Sequence, residues 1–437
     1  MHYVHVESPK SAKTIDYAVA SAKLSERVLF SLIHALGIKA FDFTSTLKFT
    51  PILKNYRKQT DVDGLKIYVD SGGYSIIQGD VPFEKTKDFI DCYNRFLEYE
   101  NDSFDYIFSL DIPIWGGQEN AKHLTKKNLK HFNEVSVRDS LAIIKKNPAL
   151  AEKWFFVWHF KIQSQFDIWS DIFTSQRVSH YTSNYAIGGQ VGLRKMAEEA
   201  NGKRLDFTPF TAMAFLCLAE HLSGPLADKK FKLHVLGINN IIDRFQVILT
   251  DKLFTSFLSE HGLPAPEITH DTINYTRSGL YDARKLAPYA FNGQALEQFE
   301  NIFEVPDSLL REIYFNETLY NGFICERERQ KQLKQFGDVS FIVPLNVYSN
   351  LQQDRFLEHL EAQYDLCSSL RGLNINRAAS AILKDHPDYF SVSQKDEIAN
   401  NLSVLQHCIK LLRAGDIEGL RDMVLHYIKL LALADPF

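Results

Sequence analysis

The sequence predicts an α/β fold, a (β/α)8 barrel followed by a helical C-terminal domain. Three observations predict it. From Lys66 to about residue 275, short apolar runs alternate with amphipathic stretches at least six times. Parallel strands joined by crossover helices produce that alternation. Several of the runs end in Asp, His or Gly, and a barrel builds its active site from the C-terminal tips of its strands. The chain also lacks a GxGxxG or GxxxxGKS/T turn. A doubly wound open sheet, the competing architecture, would more often carry one near its start.

The elements follow in order. Residues 1 to about 60 are mixed: Ala18 to Leu36 has the apolar spacing of a helix, and Phe41 to Phe43 reads as a short strand. A strand then ends at Asp70, and a helix runs from Phe83 to Leu97. Phe104 to Asp111 is the next strand, broken by the Pro and Gly residues of 112–117, and a long helix occupies about 119–146. Trp154 to His159 and Asn184 to Gly189 are strands, with a short helix at Phe166 to Phe173 between them. Thr208 and Pro209 mark the start of a helix reaching Leu222. Lys232 to Gly237 is a strand, 240–260 a helix stopped by Gly262, and Glu267 to Asp271 one more strand. From 305 the pattern turns helical, with apolar spacing in Leu309 to Tyr320, Gln353 to Leu370 and Leu402 to Leu433. The barrel is placed at residues 1–300 and the helical domain at 301–437.

Composition narrows the class. The chain has 437 residues, 45% hydrophobic and 24% charged, with a net charge of −5. That charge argues against coating nucleic acid by bulk attraction, though not against a local basic groove. Candidates for such a groove are Lys122 to His131, Arg194-Lys195, Lys203-Arg204 and Arg327, Arg329 and Lys331, each of which also reads as a solvated helix face. No apolar run reaches membrane-spanning length. The first residues carry no charged-then-apolar leader, and the five cysteines are far apart with no CxxC pair. A reducing cytoplasm is the expectation, with neither a disulfide framework nor a cysteine metal site.

The most informative stretch is Tyr68-Val69-Asp70-Ser71-Gly72-Gly73-Tyr74. A strand ends in a carboxylate and passes into a Gly-Gly turn beside an aromatic ring. Glycines there let a flat ligand approach the backbone. All four residues of Asp-Ser-Gly-Gly are also ordinary turn residues. Three more tips accompany it: Asp111 in Ser-Leu-Asp-Ile-Pro, Gly188-Gly189 after Tyr185-Ala186-Ile187, and Asp271 ahead of Thr276-Arg277-Ser278-Gly279.

Taken in order, these motifs resemble the tRNA-guanine transglycosylase superfamily. Its members carry DSGG plus an aromatic, a strand ending in aspartate, YA(I/V)GG, an MG- or LG-type turn and FDxxxPTRSG. Here the LG turn is Leu236-Gly237, and the resemblance covers about residues 65 to 280. It implies exchange of a guanine in a polynucleotide for a 7-deazaguanine base, with no ATP, redox cofactor or other cofactor. By match of motif, Asp271 would be the nucleophile attacking C1′, forming a covalent glycosyl-enzyme. Asp70 would be the general acid/base. Asp111 would accept from the Watson–Crick edge of the base. Ser71, Gly188 and Gly189 would line the base site, and Tyr74 would stack on the heterocycle. His159 either contacts the base or is a satisfied core histidine. Trp154, Trp158 and Trp169 read as packing residues.

The chain departs from the family in three places. After residue 280 only Cys325, Cys367 and Cys408 remain, so the CxCxxC…His zinc site of the tRNA enzymes has no counterpart and no metal is expected. Ser75 replaces the glutamine that usually follows the aromatic. Gly237 and Asp271 stand 34 positions apart, which admits Asp251 as a rival nucleophile; the following Thr-Arg-Ser-Gly favours Asp271. Without the zinc segment, the chain looks more like the DNA-modifying, Dpd-type branch found in phages and bacterial modification clusters, which inserts bases such as preQ0. DNA and a 7-deazaguanine are then the expected partners, with a further protein partner possible. A tRNA-guanine transglycosylase without zinc, a non-catalytic base-binding subunit and a two-carboxylate glycoside hydrolase remain the alternatives.

Overall fold

The computed structural model describes residues 2–7, 15–32, 49–60, 62–73, 76, 79, 81–113, 125–238, 240–272, 287–332, 340–366, 381–382, 384–386 and 389–435. Eight strands form a closed parallel barrel in sequence order: β1 (His2–Glu7), β2 (Arg27–Ser31), β3 (Lys66–Asp70), β4 (Tyr106–Phe108), β5 (Trp154–Trp158), β6 (Asn184–Ile187), β7 (Lys232–Val235) and β8 (Glu267–Thr272). The ring closes where β8 pairs with β1, Val4 opposite Asp271. Helices connect the strands: α1 (Ile15–Ser25), α2 (Phe49–Thr60), α3 (Thr86–Tyr99), α4 (Lys126–Lys146), α5 (Gln163–Ser175), α6 (Leu193–Asn201), α7 (Thr211–Leu222) and α8 (Ile241–Glu260). This is the (β/α)8 barrel expected from the alternating pattern.

Both faces of each strand are covered, which is why strands such as Trp154-Phe155-Phe156-Val157-Trp158 are apolar throughout. Inward residues fill the barrel: Val4, Leu29, Tyr68, Tyr106, Phe108, Phe155, Val157 and Ala186 form their own cluster. The rings of Tyr68 and Tyr106 lie 4.7 Å apart, and Phe108 sits 4.8 Å from the ring of His234. The outward residues, including Trp154 and Trp158, pack beneath the helices, where Trp169 of α5 joins them.

The first sixty residues differ from the sequence reading. The Ala18–Leu36 segment is not one helix: α1 stops at Ser25, Glu26 takes a left-handed φ of 55°, and Arg27–Ser31 becomes β2. A short apolar run such as Val28-Leu29-Phe30 fits a buried strand as well as a helix, and pairing with β1 and β3 decides it. β1 also escaped the reading, because Tyr3, Val4 and Val6 are interrupted by His5 and flanked by His2 and Glu7, which leaves neither a continuous apolar run nor a strict alternation. The strand expected at Phe41–Phe43 lies outside the described residues. The 240–260 helix is continuous as expected, capped by Asn240 and stopped at Gly262, φ 68°.

After a two-stranded hairpin, β9 (Tyr289–Phe291) and β10 (Leu296–Gln298), come α9 (Asp307–Tyr314), α10 (Glu317–Gln332), α11 (Val343–Tyr364), α12 (Val392–Ala414) and α13 (Ile417–Leu431). The apolar stretch Leu309–Tyr320 is two helices, divided at Phe315 (φ 43°). α11 packs on α1, α8 and β9, while α12 and α13 pack on α7. Two arginines lock these layers. Arg194 bonds both Asp243 and Glu397, and Arg244 reaches Asp354 at 2.8 Å. No helix among the described residues is long and apolar enough to cross a membrane.

Candidate active site

Because all eight strands run the same way, their C-terminal tips share one mouth, and Asp70, Asp111 and Asp271 gather there. β3 ends at Asp70, in register with Ser31 of β2. The chain then turns through Gly72, φ 77°. Gly73 follows, pressed against the loop after β4: a Cβ there would stand 1.7 Å from the carbonyl oxygen of Asp111. Only glycine allows that approach. The Gly-Gly turn therefore brings the Asp70 and Asp111 loops together.

Asp111 lies three residues past the regular end of β4. Its neighbours are pinned from α4. Asn133 accepts from the Ile112 N–H at 2.8 Å and donates to its carbonyl at 3.1 Å, and the Ser136 hydroxyl donates to the Leu110 carbonyl at 3.0 Å. The carboxylate is then oriented by two side chains. Ser71 Oγ donates to Oδ1 at 3.1 Å, and His159 Nε2 lies 2.5 Å from Oδ2. Ser71, expected at the base, is fully buried and spends its hydroxyl on Asp111. His159 is 3% exposed. It follows β5 and crosses to Asp111 beneath the β6 turn, so close to Gly188 that a Cβ on that residue would meet the ring at 2.5 Å. Gly189 (φ 86°) is likewise pressed against the side chain of Lys161, a buried lysine that the sequence reading missed. Burial lowers the Lys161 ammonium to about 7.

Asp271 is held from the strand beside it. Its Oδ1 accepts the Gly237 N–H at 2.8 Å and faces His234 Nε2 at 3.1 Å, and its backbone carbonyl accepts from Ile238 at 2.9 Å. The positive φ of Gly237, 78°, turns that N–H inward. The residue as a whole is 8% exposed. The rival, Asp251, lies in the middle of α8 on the outer layer.

Asp70 sits among these carboxylates. Its removal from water, then the nearby charges of Asp111 and Asp271, raise it to about 7; bonds from Ser31 and the Gly72 N–H oppose this and lose. An acid poised near neutrality beside two other carboxylates can give a proton to a leaving group and take one back.

Tyr74, Ser75 and Thr276–Gly279 lie outside the described residues, as does Cys367. Cys92, Cys217 and Cys408 are buried and Cys325 is exposed. Among the described residues no group of three or more His, Cys, Asp or Glu side chains could hold a metal ion. Several of the candidate basic side chains are paired with acids or hydroxyls, mostly at the surface. Arg204 bonds Ser393 and Glu397, Lys130 bonds Asp171, Arg327 pairs with Asp307 and Arg329 with Glu326. Arg194, half-buried, is paired with Asp243 and Glu397, and Lys122 lies outside the described residues. No model of a known protein family matches the sequence, and no curated protein matches it.

Proposed function

We propose that this chain is a guanine transglycosylase that exchanges guanine in DNA for a 7-deazaguanine base such as preQ0. The observation that carries the reading is the gathering of Asp70, Asp111 and Asp271 at one barrel mouth, where burial and the two neighbouring carboxylates push Asp70 up to about 7. The motif order in the sequence supports the same assignment. Asp271, oriented by Gly237 and His234, attacks C1′. The C1′–N bond breaks, its electron pair leaves with guanine, and protonated Asp70 supplies the proton. The sugar is then esterified to Asp271. In the second half Asp70 takes the ring proton of the incoming base, whose nitrogen attacks C1′ and releases the carboxylate. No net oxidation and no nucleotide hydrolysis is involved.

Asp111 keeps lone pairs beyond the bonds to Ser71 and His159, and these would accept from the amino and ring N–H edge of the base. The Gly188-Gly189 backbone offers a surface without side chains for the flat heterocycle. A guanine stacked in a duplex cannot reach such a recessed site, so the reading requires extruded or melted DNA.

The test is incorporation of labelled preQ0 or guanine into duplex DNA and unmodified tRNA in parallel, with Asp271→Ala as control. Label in DNA, lost in the variant, supports the reading. Label in tRNA alone reassigns the polynucleotide. Label in neither, with no covalent adduct on intact-mass analysis, removes the enzymatic reading.

A further inference from the structure

His234 lies inside the barrel, fully buried, directly across from Thr269 in the β7–β8 register. Its ring packs on Phe108 and stands 5.9 Å from Tyr68. Both nitrogens are engaged: Nδ1 is 2.8 Å from Thr269 Oγ1, and Nε2 is 3.1 Å from Asp271 Oδ1. Thr269 has one hydroxyl proton and two acceptors in reach, the ring at 2.8 Å and the Leu233 carbonyl at 3.5 Å. The shorter contact takes the proton. Nδ1 is then an acceptor, and the ring's own proton sits on Nε2, aimed at Asp271. A hydroxyl thus fixes the tautomer, and the imidazole fixes the carboxylate.

The second donor on the same oxygen is the Gly237 N–H at 2.8 Å. Two donors converge on Oδ1, while Oδ2 has no hydrogen-bond partner among the described residues. We infer that His234 is the positioning residue for Asp271, that Oδ2 is the oxygen that bonds to C1′, and that the His234 and Gly237 N–H groups form a cradle for the carboxylate as it leaves. This rests on the transglycosylase reading and adds the direction in which the cradle acts. Donors on Oδ1 stabilise an ionised carboxylate more than an ester carbonyl. They therefore slow attack slightly and speed departure, where charge returns to the group as the Oδ2–C1′ bond breaks and the incoming base nitrogen bonds to C1′.

The consequence separates this role from general disruption. His234→Phe keeps an aromatic ring against Phe108 and removes the donor. Turnover should fall by about 10²-fold, as for loss of one preorganised donor, with KM for the base little changed. The covalent enzyme–DNA adduct, trapped by acid quench and measured by intact mass, should rise above wild type. His234→Gln, which offers an amide N–H, should recover part of the rate. Thr269→Val, which frees the tautomer, should show the same pattern more weakly and serves if His234→Phe does not fold. Wild-type turnover and adduct level in both His234→Phe and Thr269→Val, beside an active wild type, would overturn the inference and leave the transglycosylase reading intact. An inactive wild type would remove both. Imidazole ¹⁵N shifts of the wild-type protein give an assay-independent check: a proton on Nδ1 would also overturn the assignment.

Discussion

The two ends of the barrel treat the same side chain in opposite ways. At the N-terminal end, Asp105 and Glu267 have cations beside them. Asp105 accepts from the Ile67 N–H at 2.9 Å, from Arg57 at 2.7 Å and from Lys66 at 3.4 Å. Burial pushes it up, but those donors outweigh burial and hold it below the ordinary carboxylate range. Glu267, with Lys230 at 3.1 Å and Arg27 at 3.8 Å, is lowered in the same way against its own burial. At the C-terminal end Asp70 has burial and two carboxylates for company, and it rises to about 7. One rim uses charge to fasten strands. The other gathers carboxylates that repel one another, and in a (β/α)8 barrel that rim is where active sites are built.

The comparison breaks first at Asp271. Asp271→Asn should reduce base exchange by on the order of 10⁴-fold or more while leaving affinity for the free base nearly unchanged. Isothermal titration with preQ0 and a single-turnover exchange assay check both halves. Near-wild-type exchange would place the nucleophile elsewhere.

Asp70→Asn comes next, with an expected loss of about 10²- to 10⁴-fold. With Asp70 in the proposed acid role, guanine release in the wild type should decline as pH rises through about 7, because the proton it would donate is lost there. Stability carries a second signature with a definite sign. The unfolded carboxyl loses its proton near its ordinary value of 3.8, the folded one only near 7. Between those values the native state binds more protons, so Asp70 makes stability fall as pH rises. Asp70→Asn should therefore gain little at pH 4 and most at pH 8. A melting-temperature difference that is flat across that range would show that Asp70 is not strained by its surroundings.

The tips of the later strands were legible because the apolar runs end in Asp, His or Gly, and a parallel barrel puts such tips at one mouth. The reason for Gly73 was not legible. It depends on the Asp111 carbonyl, which meets it only once β3 and β4 pair. Asn133, Ser136 and His234 were missed for the same reason: their partners lie 21, 26 and 37 positions away. A signal for His234 was present. It occupies an inward position of a strand otherwise apolar over Leu233 and Val235, two residues before the Leu236-Gly237 turn. The first two strands were lost because β1 mixes polar and apolar residues and β2 follows α1 after a single residue.

The other rim predicts smaller effects, on folding alone. Asp105→Asn should cost about 1–2 kcal/mol, the scale of hydrogen bonds to a charged group, since the amide can keep the Ile67 contact and loses the two cations. Its pH dependence runs opposite to that of Asp70. The lowered carboxyl contributes stability above its unfolded value and loses it as pH falls through the folded one, so the variant should converge with wild type in acid.

Glu267→Gln should be milder still, about 0.5–1 kcal/mol, because Lys230 is largely exposed and Arg27 is at the edge of contact. Added salt should shrink that difference further, since an exposed pair is screened. Urea midpoints at two salt concentrations measure it, and base exchange should be unaffected. Exchange that falls with Glu267→Gln while the fold holds would mean that the two rims are coupled through the stacked aromatic interior, where Tyr68 lies between Tyr106 and His234. The barrel would then transmit charge state from its fastened end to its reactive one, and the division between the two rims would have to be given up.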